Sequence, residues 1–268
     1  MMQRQPAVAG QFYPGNFRQL DRDLSAMVPE VSNKRKVTGI IAPHAGYVYS
    51  GSIAGKVYAS IEIPATVLIL GPNHHGAGAG AALYPDGEWL TPLGPISINA
   101  RLNSLLQQHV PFISPDNLAH KFEHSLEVQV PFIQHLRPDA TISALCLGHG
   151  DFESVRQIGE GIAAAIRAYG EDVLIVASSD MTHYESAESA RRKDDLALGK
   201  VLEFDPQGLL QVCRSERITM CGVVPAAVML VAAVSLGAAQ AELVAYGTSG
   251  DVTGDNRQVV AYAAVTVW

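Results

Sequence analysis

The chain has 268 residues, 48% of them hydrophobic and 17% charged, with a net charge of -7. Such a composition can bury a large core, and the longest basic run, Lys34-Arg35-Lys36, is too short to neutralise a nucleic-acid backbone, which sets that class of partner aside. The three cysteines with no C-x-x-C pair, the absence of an apolar signal core in MMQRQPAVAGQFYPG, and an apolar maximum (223–236) shorter than a roughly 20-residue span and holding Pro225 point to a cytoplasmic protein without disulfides or membrane segments.

Asn16 is placed to cap a helix in which Phe17, Leu20, Leu24 and Met27 recur at helical spacing. Residues 37–41 have strand character and end in PHAGYVYSG; a helix is expected over 52–60. TVLIL (66–70) is a second strand, ending in GPNHHGAGAG. A Pro/Gly-rich stretch leads to a helix over 100–109, and another is expected over 126–136, with Pro131 set against its continuity. Residues 141–147 read as a strand ending in GHGD. An amphipathic helix follows over 152–169, with Val155, Ile158, Ile162 and Ile166 on one face. VLIVA (173–177) is a strand ending in SSDMTHYE, followed by helices over 189–204 and 222–236. The last two strands, 243–246 and 259–267, are joined by the short polar segment GTSGDVTGDNRQ and so can pair antiparallel. The alternation implies one α/β domain over 1–268, a three-layer sandwich around a central, mostly parallel sheet.

Several histidines directly follow predicted strands: His44, His74 and His75, His149, and His183 with Asp180. Ligands of open parallel sheets bind beyond the carboxyl ends of the strands, so distant segments would bring metal-capable side chains to one edge. Pro43 and Gly46 set a tight turn around His44. Of His74 and His75, one is expected as a ligand and the other behind it or at the surface. Asp180 stands three residues before His183; either it orients that imidazole, or Ser178, Ser179 or Asp180 caps a helix. His124 and Glu127 would share a helix face in EHSLE unless Ser125 is a cap. His149 can simply close a turn, and His109, His120 and His135 are expected at the surface. Cys146 and Cys213 read as packing. Cys221, in TMCGVVP, precedes an apolar helix whose N-terminus would favour the thiolate, the form that binds metal.

Six segments in order from Pro6 to Pro225 (PAVAGQFYPG, APHAGYVYSG, ILGPNHH, EHSLEVQVPF, SSDMTHY and CGVVP) resemble those of the Memo family, whose bacterial and archaeal members are known as protein B of the AmmeMemoRadiSam system. The resemblance implies an extradiol-dioxygenase-like fold. Class III enzymes of that kind hold non-haem Fe(II) with two histidines and a glutamate; the family's pocket has two histidines and a cysteine, here His44, His74 and Cys221. It also places Asp180 and His183 in the pocket-lining SSD-x-x-H and His124 as a further pocket histidine. A thiolate in place of the carboxylate softens the site, so Fe(II) or Cu(I) is expected as cofactor, with Zn(II) admissible.

The functional expectation is a metal-dependent, dioxygenase-like oxidoreductase of unknown substrate, in which His183, oriented by Asp180, moves a proton and His124 assists. Ring cleavage does not follow from the fold. The cleft would take a small molecule or a peptide. The system's name implies an AMMECR-type protein and a radical S-adenosylmethionine enzyme as partners; the chain lacks C-x₃-C-x₂-C and is not itself that enzyme. The competing expectation is a non-catalytic adaptor, since eukaryotic relatives are implicated in recognising phosphotyrosine segments. The acidic balance and the lack of an arginine cluster weigh against it.

Overall fold

Short β-branched runs that are apolar at successive positions suit strands covered on both faces. The computed structural model describes residues 2–110 and 112–268. In it β1 (Gly39–Ala42), β2 (Thr66–Pro72), β3 (Thr141–Leu147) and β4 (Val173–Ser178) are buried at nearly every position. They are parallel, in the spatial order β1-β4-β2-β3. β5 (Ala241–Thr248) and β6 (Val259–Val267) pair antiparallel, and β6 lies antiparallel to β1. Beyond β3 the short strand Ala81–Leu83 is again antiparallel. The α/β class therefore holds, with a mixed sheet: a parallel centre and antiparallel flanks.

Alternate side chains of one strand point to opposite faces. Ile40, Val67, Ile69, Leu174 and Val176 enter one core with helices α1 (Phe17–Met27), α2 (Tyr47–Ala59) and α4 (Val130–Leu136). Ile41, Leu68, Leu70, Ile175 and Ala177 enter the other with α3 (Ala100–His109), α5 (Phe152–Tyr169), α6 (Ala187–Leu202), α7 (Pro206–Ser215) and α8 (Val223–Ser235). Each of these Val, Leu and Ile side chains contributes roughly 1.5–3 kcal/mol on burial.

The helix limits have local causes. Asn16 Oδ1 accepts the Gln19 N–H at 3.0 Å and starts α1. Pro131 does not break α4; it sits in the first turn, where a missing N–H costs nothing, behind a 3-10 turn at Glu127–Gln129. α2 starts at Tyr47, five residues earlier than expected, because the loop carrying His44 leads straight into it. α7 was not anticipated: Phe204, at φ 56, ends the preceding helix, and Asp205 with Pro206 starts a new one. Among the described residues no helix is long and apolar enough to cross a membrane.

Because β1 to β4 are parallel, the segments that follow them, 43–46, 73–80, 148–151 and 179–182, emerge at one edge of the sheet. All the strand-end histidines lie there or just beyond.

Candidate metal centre

His44 follows β1 by two residues and is 2% exposed. Its backbone N–H donates to Asp180 Oδ1 at 2.7 Å, which fixes the loop. Its Nδ1 lies 2.9 Å from Ser178 Oγ. The Ser178 hydroxyl spends its one proton on the Ser125 carbonyl (2.6 Å) and accepts from Gln129 Nε2 (2.8 Å). The proton of the His44–Ser178 bond must therefore be on His44 Nδ1. Nε2 is left with a free lone pair, 3.1 Å from Cys221 Sγ.

His74 follows β2 by two residues and is fixed the same way by a different group. The Glu123 carboxylate accepts the His74 backbone N–H at 2.7 Å and lies 2.8 Å from its Nδ1. A carboxylate beside Nδ1 selects the Nδ1–H tautomer and again leaves Nε2 free. Glu123 also accepts from Ser125 N at 2.9 Å. Cys221 stands two residues before α8, and its Sγ accepts the Asp180 N–H at 3.3 Å. One donor atom from each of His44, His74 and Cys221 lies within 4.8 Å of the others. Ligands on one tetrahedral ion sit roughly 3–4 Å apart, given bonds of about 2.0–2.3 Å, so small side-chain adjustments suffice.

A second group, His74, Glu123 and His124, meets the same distance limit. The His124 ring stacks on His74 with centroids 4.6 Å apart, and its Nδ1 is 3.6 Å from Glu123 Oε1. Glu123 already accepts three N–H groups, so it holds a ligand in place better than it serves as one. The first group is the better metal site.

The electrostatics agree with neutral nitrogen donors. Burial, and then the neighbouring His124 and His74, hold His44 well below the usual imidazole range. Burial takes His124 down to about 4, against the pull of Glu123. Burial opposes the charge on Glu123, but the His74 ring and the Ser125 amide outweigh it and keep the carboxyl far below its ordinary value. Burial lifts Asp180 to about 7 despite the amides of His44 and Ala45. Burial and the nearby Asp180 push the Cys221 thiol up. Burial thus outweighs the helix N-terminus that was expected to favour the thiolate.

Other expectations change. No helical turn joins Asp180 to His183: residues 179–182 are irregular and His183 opens the short strand His183–Glu185. Asp180 serves His44 and Ala45, whereas His183 donates its N–H to Thr219 Oγ1 (2.7 Å) and has Nδ1 3.0 Å from the Thr219 carbonyl. Asp180 therefore does not orient His183, and Ser186 caps the following helix. Nor do His124 and Glu127 work as a helix-face pair. Glu127 is 1% exposed and binds Arg4 (2.6 Å), the amides of Ala7 and Val8, and Tyr13 Oη. Ser125 is no cap; its hydroxyl donates to the Pro72 carbonyl.

His120 is fully buried against the Ala82 carbonyl, not at the surface. His75 is exposed, with Nε2 on the Phe122 carbonyl. His109 is exposed at the end of α3, and His135 lies partly buried beside Asp21. Cys146 and Cys213 are buried. The groups that sequence reasoning missed are Glu123, Ser178 and Gln129. All three lie inside motifs already singled out; a pocket histidine flanked by a carboxylate was the available signal for Glu123.

A cavity of about 340 Å³ lies against His74 and Cys221 and reaches Thr219 and His149. A wider one, about 580 Å³, lies at the opposite end of the strands against Val37, Thr38 and Val173 and contains none of these groups.

Comparison with known proteins gives a consistent answer. The family model described as Memo-like protein matches residues 4–266. A MEMO1 family protein of Aquifex aeolicus is 41% identical over 264 residues, 98% of either chain. One of Methanosarcina acetivorans is 39% identical over 269 residues, 100% of both chains. Another, of Methanopyrus kandleri, is 37% identical over 278 residues, 98% of both. In fold, the chain is similar to the crystal structure of an uncharacterized protein from Escherichia coli K12, with a TM-score of 0.57 and 13% identity over 86% of this chain and 99% of that one.

Proposed function

The chain belongs to the Memo-like family, and on that premise we propose that it is a metal-dependent, dioxygenase-like oxidoreductase whose ion is held by Nε2 of His44, Nε2 of His74 and Sγ of Cys221. One observation carries the reading: Ser178 and Glu123 commit both Nδ1 positions, so both free lone pairs are on Nε2, and His44 Nε2 lies beside the only thiol of the cluster. Two imidazoles and a thiolate favour Fe(II) or Cu(I) and admit Zn(II). Three protein ligands leave a position for substrate or water. Such an ion supplies Lewis acidity and, if iron or copper, one-electron chemistry.

The chain's own residues do the rest. The Thr219 carbonyl accepts a hydrogen bond from His183 Nδ1–H, which leaves Nε2 as a proton acceptor. Burial lowers the His183 pKa, so the ring is neutral and able to act as a base. His124, stacked on His74, walls the site, and Asp180 holds the His44 loop. Among the described residues no lysine or arginine lines the cavity against His74 and Cys221, so an anionic group placed at the candidate ligands themselves would meet no guanidinium, which favours a small molecule reacting there over a phosphotyrosine docked on them. The same reading takes 1–268 as one domain of the three-layer, extradiol-dioxygenase kind, working in the cytoplasm beside an AMMECR-type protein and a radical S-adenosylmethionine enzyme.

The test is metal analysis of untagged protein purified without chelators, alongside His44→Ala and His74→Ala. One equivalent of iron or copper in the parent, lost in both variants, is the expected result. A parent protein that takes up no transition metal even after reconstitution sinks the proposal.

A further inference from the structure

The cavity beside His74 and Cys221 shares part of its wall with a second one. His149, Val223 and Val224 line it, and the same three residues line an adjoining cavity of about 450 Å³ between the start of α5 and helix α7. The chemistry changes along this path. The inner part holds His74 and Cys221, the middle is valine, and the outer part has Phe152, Leu210 and Ile218 with Gln207, Gln211 and Arg214.

The outer walls carry one cation and one carboxylate. Asp151 is occupied: it caps α5, and its Oδ1 accepts from both Ser154 N and Ser154 Oγ. Arg214, in the last turn of α7, has no ion pair among the described residues. A guanidinium presents a planar fork that matches a carboxylate. His149, between Gly148 and Gly150 at the junction of the two cavities, has no hydrogen-bond partner among the described residues either.

From this arrangement we infer that the two cavities form one cleft for an elongated organic acid. Its apolar body lies along Val223, Val224, Phe152 and Leu210, its carboxylate meets Arg214 and Gln211, and its far end reaches His74 and Cys221. The assignment rests on that cluster being the reacting end, but its own prediction concerns charge and length and can be read separately.

The experiment is calorimetric binding of 6-phenylhexanoate and the neutral 6-phenylhexanamide to the full chain, with metal content determined on every sample. The parent protein should bind the acid roughly 10-fold more tightly than the amide, the scale of one charge-assisted contact. Arg214→Gln should bring that ratio to about one and leave amide affinity and metal content unchanged. Val224→Trp, which fills the junction, should weaken both probes about 10-fold with metal content unchanged. Equal affinity for acid and amide in the parent, no binding of either, or a ratio that survives Arg214→Gln overturns the inference, as does unaltered binding in Val224→Trp. Metal bound with a ratio of one leaves the metal centre standing and removes the cleft; the full pattern without metal does the reverse.

Discussion

His74 Nδ1 and Glu123 Oε1 lie 2.8 Å apart, and the side chain of Glu123 is fully buried. This pair fixes the ring of a candidate ligand through a carboxylate that has no other exposure to water. Removing the charge while keeping the shape, in Glu123→Gln, should lower metal affinity roughly 10- to 100-fold, the usual effect of losing a ligand's outer partner. Competition against a chromophoric chelator reads this directly. Affinity equal to the parent's would mean that His74 does not need Glu123.

Glu127 is expected to behave oppositely, because it ties the N-terminal segment to the core and touches no candidate ligand. Glu127→Ala leaves Arg4 buried without its partner, which should cost roughly 3–5 kcal/mol of stability. Denaturant unfolding measures that loss, and metal content of the folded fraction should not change. A destabilisation below about 1 kcal/mol would show that Arg4 finds water or another acceptor.

His183 and Asp180 should now separate. His183→Ala should keep metal and lower any turnover roughly 10²- to 10⁴-fold, the range of a general acid or base. Asp180→Ala should instead loosen the His44 loop and reduce metal affinity, and Asp180→Asn should restore it, since an amide oxygen can still accept the His44 N–H. If Asp180→Ala left metal affinity intact and only altered turnover, the original Asp180–His183 pairing would be the better account.

His120 supplies a pH signature away from the candidate ligands. Burial holds it at about 4 against an ordinary 6.5, and its Nδ1 has no partner. A folded pKa below the unfolded one means that the unfolded chain binds more protons between the two values. Stability contributed by neutral His120 is thus present above about pH 6.5 and is lost as the pH falls toward 4, by up to about 3 kcal/mol. Asp180, raised to about 7, acts with the opposite sign: its contribution is lost as the pH rises through 7. Stability profiles of the parent and His120→Phe between pH 7 and 4 isolate the His120 part; the variant's should be flatter. Parallel profiles would contradict a buried neutral imidazole.

Much of this was legible in the chain. The runs that became β3, α3, α5 and β6 matched their expected limits because each has one dominant period and a clear cap or turn at its ends. Histidines placed after strands pointed to one sheet edge because parallel strands allow little else. What stayed hidden depended on partners distant in sequence. Glu127 looked like a helix-face acid until Arg4, 123 residues away, was seen against it. Asp180 looked like the partner of His183 because three residues suggest a helical turn, but the segment is irregular and the carboxylate turns to His44, 136 residues away. Ser178 and Gln129 fix the His44 tautomer only through a relay of buried hydrogen bonds that spacing does not reveal.

The most direct test of the central claim is the Cu(I) affinity of the parent protein and of Cys221→Ser, with His124→Ala as a control that alters the same pocket. If Sγ of Cys221 joins His44 and His74 on one ion, loss of the soft donor should weaken Cu(I) binding by at least about 10-fold, while His124→Ala stays near the parent. Equal Cu(I) affinity in the parent and Cys221→Ser would contradict the His44–His74–Cys221 centre.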